Sequence, residues 1–169
     1  MMNDQLVLTQ LEEVRDVMDT SLRKISDFLN QYSIQQLLKE EGSHNKGYYA
    51  LLLKSLRRLE VFCDEAYEKV QRLLNSQSFH RPAAEKTLYG IYHQCIMEFF
   101  SPKSDAWRED SRAAYTGKNA ITYFHQPPYI LRKLMNELEG GFQQIREALA
   151  FYEADYFNQK NDKNKRSSS

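Results

Sequence analysis

In 169 residues the chain carries only two cysteines, Cys63 and Cys95, each inside an apolar helical run. No disulfide framework, CxxC redox pair or thiolate zinc site can be built from that spacing, and two buried free thiols suit a reducing compartment. Glycine is also scarce. There is no phosphate-cradling glycine loop, no G-x-S-x-G and no G-x-G-x-x-G. An excess of either charge is missing too, because 23 lysines and arginines balance 23 aspartates and glutamates. No global field therefore recruits nucleic acid or acidic lipid. No apolar stretch approaches the ~18 residues of a membrane span, and the opening MMNDQLVLTQLEEVRD lacks the basic n-region of a signal peptide. These absences predict a cytoplasmic protein without membrane association, for which nucleic acid is an improbable partner.

What the chain does have is helical rhythm. Between about residues 4 and 31, Val7, Leu11, Val14, Met18, Leu22, Ile25 and Phe28 or Leu29 step by three and four along one stripe. Ser33 with Gln36 forms a capping box, and Gly42 is placed to end a short helix over Ser33–Glu41. The stripe returns from Tyr48 to about Asn75. Pro82 opens a third long helix, AAEKTLYGIYHQCIMEFF, apolar nearly all round from Leu88 to Phe100 and therefore central. Pro128 opens a fourth, with its stripe from Leu131 to Tyr156. The prediction is an all-α fold: four long helices in an antiparallel bundle plus the short helix after the first. Residues 1–157 form one domain, with 101–127 as an ordered loop insertion, and the apolar-free residues 158–169 form a disordered polar tail.

Gly90 and Gly140–Gly141 lie inside helices, where each costs roughly 1 kcal/mol against alanine. Either they are tolerated kinks, or they let backbones approach closely. On the second alternative, the third and fourth long helices cross near Gly90 and Gly141, which stand at matching levels along antiparallel axes.

The insertion between those helices, about 26 residues, is long for a compact domain and is expected to be functional. Trp107, Tyr115, Ile121, Tyr123 and Phe124 give it apolar material to order itself. Ser104 is placed to cap a short helix through Trp107–Ser111, and AAY-TGKN-AITYF has the pattern of a small hairpin. Trp107, Arg108, Arg112, Tyr115, Lys118 and Tyr123 form the candidate binding surface. Arginine forks and aromatic faces suit a protein partner, a small anion or a stacked base. Alternatively the arginines pair with Asp105, Glu109 and Asp110 and only brace the loop. His93 and Glu98 are polar groups on an otherwise apolar helix and are expected to be buried anchors. Glu98 would need a cationic partner, such as Arg112. In KSLRR, the basic residues Lys54, Arg57 and Arg58 are read as a solvated helix face.

Catalytic patterns are lacking. Glu41-Gly42-Ser43-His44 is the sole Glu-x-x-His and it crosses a glycine, while His44, His80, His93 and His125 are scattered without ligand spacing. No catalytic residue, metal or cofactor is expected.

The run AAEKTLYGIYHQCIMEFFSPKSDAWREDSRAAYTGKNAI, followed by the helix with ILRKLMNELEGGFQQIREAL, resembles the YpuI-like family of small proteins from Bacillus and related Gram-positive bacteria. The resemblance spans about residues 5 to 157 and is most specific over Ala83–Ile121. It implies a bacterial cytosolic protein and carries over no functional residue. The resulting expectation is a non-enzymatic interaction or scaffold module, with a protein partner or a two-fold homodimer, using the 101–126 loop as contact surface. The alternative is a binder of a small anionic ligand or nucleic acid through the loop arginines and aromatics.

Overall fold

The computed structural model describes residues 3–42, 44–110 and 120–153. They are mostly helical, with one small two-stranded sheet. Helix α1, Asp4–Gln31, is capped by the Asn3 side chain accepting from the Leu6 amide at 2.8 Å. It buries Val7, Leu11, Val14, Met18, Ile25 and Phe28, the stripe that the spacing predicts. Helix α2, Ile34–Glu41, begins with the complete Ser33–Gln36 capping box and ends at Gly42 with φ +61°, a left-handed turn that suits glycine. Helix α3, Lys46–Leu74, starts two residues before the apolar stripe because Asn45 caps it, and Tyr48 and Tyr49 are already buried in its first turn.

The third long segment is not one regular helix. Helix α4, Arg81–Ile91, begins with His80 as its cap and Pro82 in the first turn. A wider π turn over Tyr92–Ile96 then joins it to the short helix α5, Met97–Phe100. After strands β1, Trp107–Glu109, and β2, Ile121–Tyr123, helix α6 runs over Tyr129–Ala148. Its first amide, on Tyr129, donates to Glu41 Oε1 at 3.0 Å, which ties its start to the end of α2. Tyr156 and the polar tail lie outside the described residues.

Contacts order the helices. Rising positions on α1 meet falling positions on α6: Gln10 bonds the Ala148 carbonyl, Val17 touches Gly141, and Lys24 pairs with Glu137. On α3 and the following segment, Cys63 meets Cys95 and the earlier Arg58 meets the later Glu98. Asp4 and Met18 of α1 meet Arg81 and Cys95 in the same order.

The expected crossing of Gly90 on Gly141 is not found. A Cβ on Gly141 would stand 3.1 Å from Val17 Cγ1, so the close approach it permits is to α1. A Cβ on Gly90 would meet nothing within 4 Å. Replacing Gly90 by alanine therefore removes a flexible helical residue without a clash. The expected gain is roughly 0.5–1 kcal/mol, read as a higher midpoint of thermal unfolding. A lowered midpoint would mean that a neighbour packs against the glycine after all.

Candidate functional site

The excursion between α5 and α6 is anchored by its aromatic centre. Trp107 is 1% exposed, and its indole Nε1 donates to the Phe99 carbonyl at 2.6 Å. Phe99 in turn stacks on Phe142 of α6 with centroids 4.3 Å apart. The expected exposed contact residue is thus a core residue, because the ring finds both an apolar bed and an acceptor there. The stretch after Ser104 is strand, not helix. Trp107, Arg108 and Glu109 pair antiparallel with Tyr123, Thr122 and Ile121, and alternation sends Trp107 inward and Arg108 outward. The hairpin expectation holds for its second run, but the partner is β1; residues 111–119, including Arg112, Tyr115 and Lys118, lie outside the described residues.

Four side chains from the helices fix this loop. The buried Tyr48 hydroxyl donates to the Ala106 carbonyl at 2.8 Å. Burial pushes its pKa up, and the nearby backbone of Phe124 and His125 opposes that shift, while the Tyr48 ring meets the His125 ring edge-on at 5.0 Å, so one side chain touches both ends of the excursion. Glu139 Oε1, buried on α6, accepts from the Ala120 amide at 3.0 Å. Arg146 forks onto Glu109 at 2.9 and 2.7 Å while its guanidinium lies 3.6 Å from the centre of the Phe100 ring. Glu98 is buried, with Arg58 Nε at 3.5 Å and the Lys103 amide at 3.4 Å. Arg58 is at ion-pair distance without hydrogen-bond alignment, and it also covers the Phe62 ring. Within KSLRR it is therefore engaged, whereas Lys54 and Arg57 are exposed as expected. His93 is exposed, resting against Tyr89 and Tyr92, and anchors nothing inside. The wide π turn that carries it leaves its ring at the surface.

With the loop held this way, its returning strand and the second turn of α6 enclose an open recess of about 670 Å³. Thr122, Tyr123, Phe124 and His125 line one side, and Arg132 and Asn136 line the other. No carboxylate is among the lining residues, and Arg132 is exposed with no acid at ion-pair distance among the described residues. Its guanidinium lies 5.8 Å from the centre of the Tyr123 ring, and Arg108 covers Phe124 at 5.6 Å. The Tyr123 hydroxyl is buried without a partner among the described residues, and burial holds its pKa far above the usual tyrosine value. It is therefore a proton-bearing donor at neutral pH. Of the three described loop candidates, Trp107, Arg108 and Tyr123, only Tyr123 lines this recess; Arg108 reaches it indirectly through Phe124. Sequence reasoning missed Tyr48, Arg132 and Asn136, and took His125 only as one of four scattered histidines. For Arg132 the available signal was a basic residue one turn into the helix that the loop enters. Among the described residues, no three of His, Cys, Asp and Glu gather as a metal-binding group, and no helix is long and apolar enough to cross a membrane.

No solved structure matches the chain. A protein of Bacillus subtilis (strain 168) that carries the name uncharacterized protein YpuI is 42% identical over 153 residues, which is 90% of this chain and 85% of that one. The resemblance drawn from Ala83–Ile121 thus extends over most of both sequences. A family model described as protein of unknown function, DUF3907, matches residues 11–158, which takes in every helix and both strands except the first turns of α1. The chain belongs to the DUF3907 family of proteins of unknown function.

Proposed function

We propose that the chain is a non-enzymatic binding protein: an antiparallel four-helix scaffold that presents a recess for a small anionic ligand. The order of the contacts between α1, α3, α4 and α6 supports the scaffold. One observation carries the ligand class. Among the described residues, a recess lined by no acid holds the unpaired Arg132 guanidinium beside the donors of His125 and Asn136. Its volume falls within the ~300–1,000 Å³ usual for small-molecule sites. Tyr123 and Phe124 add ring faces, each with a guanidinium nearby, which suits a ligand with a flat group beside its charge. Nucleic acid is disfavoured because lysine plus arginine only equals aspartate plus glutamate, so the chain as a whole carries no positive field for a charged backbone.

The test is calorimetry and thermal shift with inorganic phosphate, pyrophosphate, mononucleotides and short dicarboxylates. At least one should bind the wild type, and Arg132→Ala should weaken it tenfold or more. A hydrogen bond to a charged group contributes about 1.5–3 kcal/mol, and Arg132 is exposed, so the fold survives its loss. Silence from the whole panel, or equal affinity in Arg132→Ala, overturns the proposal.

A second reading, the loop end as a surface for a protein partner, is favoured by the exposure of Phe124 (51%) and Tyr129 (70%), large aromatics of the kind that anchor interfaces.

A further inference from the structure

The two cysteines that lie apart in the sequence meet in the core. Cys63 of α3 and Cys95 of the π turn are buried free thiols with sulfurs 3.8 Å apart. The Cys95 sulfur also lies 3.7 Å from Met18 Sδ of α1. The Cys95 sulfur of the π turn thus touches one sulfur from α3 and one from α1. Metal–sulfur bonds of about 2.3 Å set the sulfurs of a three-coordinate centre about 4 Å apart. The two separations from the Cys95 sulfur are close to that value, whereas a disulfide would need the cysteine sulfurs to close to about 2.05 Å.

Two further features bear on the same spot. The π turn is an energetically poor departure from the α-helix, of a kind that recurs at functional sites, and it carries Cys95. A recess of about 290 Å³ between α3 and α4 reaches Cys95, lined in part by Phe62, Gly90 and Gln94. Gly90 has no helix crossing to explain it, and its missing side chain helps leave this recess open. Lys69, Lys86 and Glu65 line the recess too, and the two lysines against one glutamate leave a positive charge that offsets the surplus negative charge of two thiolates around one monovalent cation.

We propose that Met18, Cys63 and Cys95 form a site for one soft monovalent cation, copper(I) or its analogue silver(I). Thiolate and thioether sulfur select such ions, and among the described residues no histidine or carboxylate joins them to complete the four-coordinate shell that zinc prefers. On binding, each thiol releases its proton to water and the cation bonds to two thiolates and one thioether. No electron moves, so no oxidant or reductant is consumed. The site is separate from the anion recess, and either can fail alone.

The experiment is an anaerobic titration of the full chain with copper(I) buffered by bicinchoninate, repeated with silver(I). Wild type, Cys95→Ala and Met18→Leu are compared, with circular dichroism as the check on folding. The wild type should take up one equivalent, with a thiolate-to-copper absorption in the ultraviolet and a higher unfolding midpoint. Cys95→Ala should lose the site. Met18→Leu keeps the apolar volume and should weaken binding at least tenfold, which decides the matter should Cys95→Ala not fold. A wild type that takes no copper(I) from bicinchoninate overturns the proposal. So does unchanged affinity in Met18→Leu, which would leave the three sulfurs as core packing.

Discussion

Trp107→Ala is expected to cost about 3–5 kcal/mol of stability, the range for truncating a fully buried large aromatic residue. Two losses combine. The ring is almost wholly enclosed, so its removal leaves a cavity, and the Phe99 carbonyl it caps at 2.6 Å loses its donor. Trp107→Phe separates them, since it restores most of the volume but not the hydrogen bond, and should lose clearly less. Urea unfolding followed by circular dichroism gives both values. Trp107 is the only tryptophan, so its fluorescence independently reports whether the loop leaves the core before the helices melt. A loss under about 1 kcal/mol in Trp107→Ala, the level of a surface change, would show that the excursion is only lightly attached and cannot shape a recess.

The fate of Trp107 also marks where the sequence is legible. Stripes, caps and breakers act over a few residues, so α1, the Ser33–Gln36 box, Gly42, the first-turn proline of α4 and the proline before α6 could be read directly. The loop obeys different physics. Whether Trp107 faces solvent or core depends on an acceptor at Phe99, itself stacked on Phe142, and neither residue belongs to its own strand. Glu98 needed a cation, as burial demands, and among the described residues Arg58 on α3 supplies it, while Arg112 lies outside them. Gly141 needed a close neighbour and found Val17 of α1, a pairing that depends on which helices end up adjacent. The π turn at Tyr92–Ile96 leaves no mark in the pattern, because residues at three and four apart remain apolar through it. The recess was hidden for the same reason. Arg132 and His125 acquire meaning only once Tyr48, bonded to the Ala106 carbonyl and edge-on to the His125 ring, has brought the two ends of the loop together.

Arg146→Ala is the second large effect, expected at about 2–3 kcal/mol. Breaking a buried ion pair costs about 3–5 kcal/mol, and this pair is discounted because each side chain keeps 19% of its surface in water. The geometry argues for the upper part of what remains. Arg146 forks onto both Glu109 oxygens, holds Gln143 Oε1 at 2.7 Å and covers Phe100, so its loss orphans a carboxylate and uncovers a ring. Glu109→Gln keeps the shape of its side chain and should cost less. In a double-mutant cycle the two positions should couple by about 1–2 kcal/mol, and coupling below about 0.5 kcal/mol would place the pair among ordinary surface contacts. The effect reaches the recess through the ladder. Glu109 opposes Ile121 at one end of it, and the next residues of that strand line the cavity wall. Arg146→Ala should therefore weaken any anion that the recess binds, although Arg146 does not line it. Tested well below the unfolding midpoint, that loss of affinity separates a wall that has shifted from a protein that has simply unfolded.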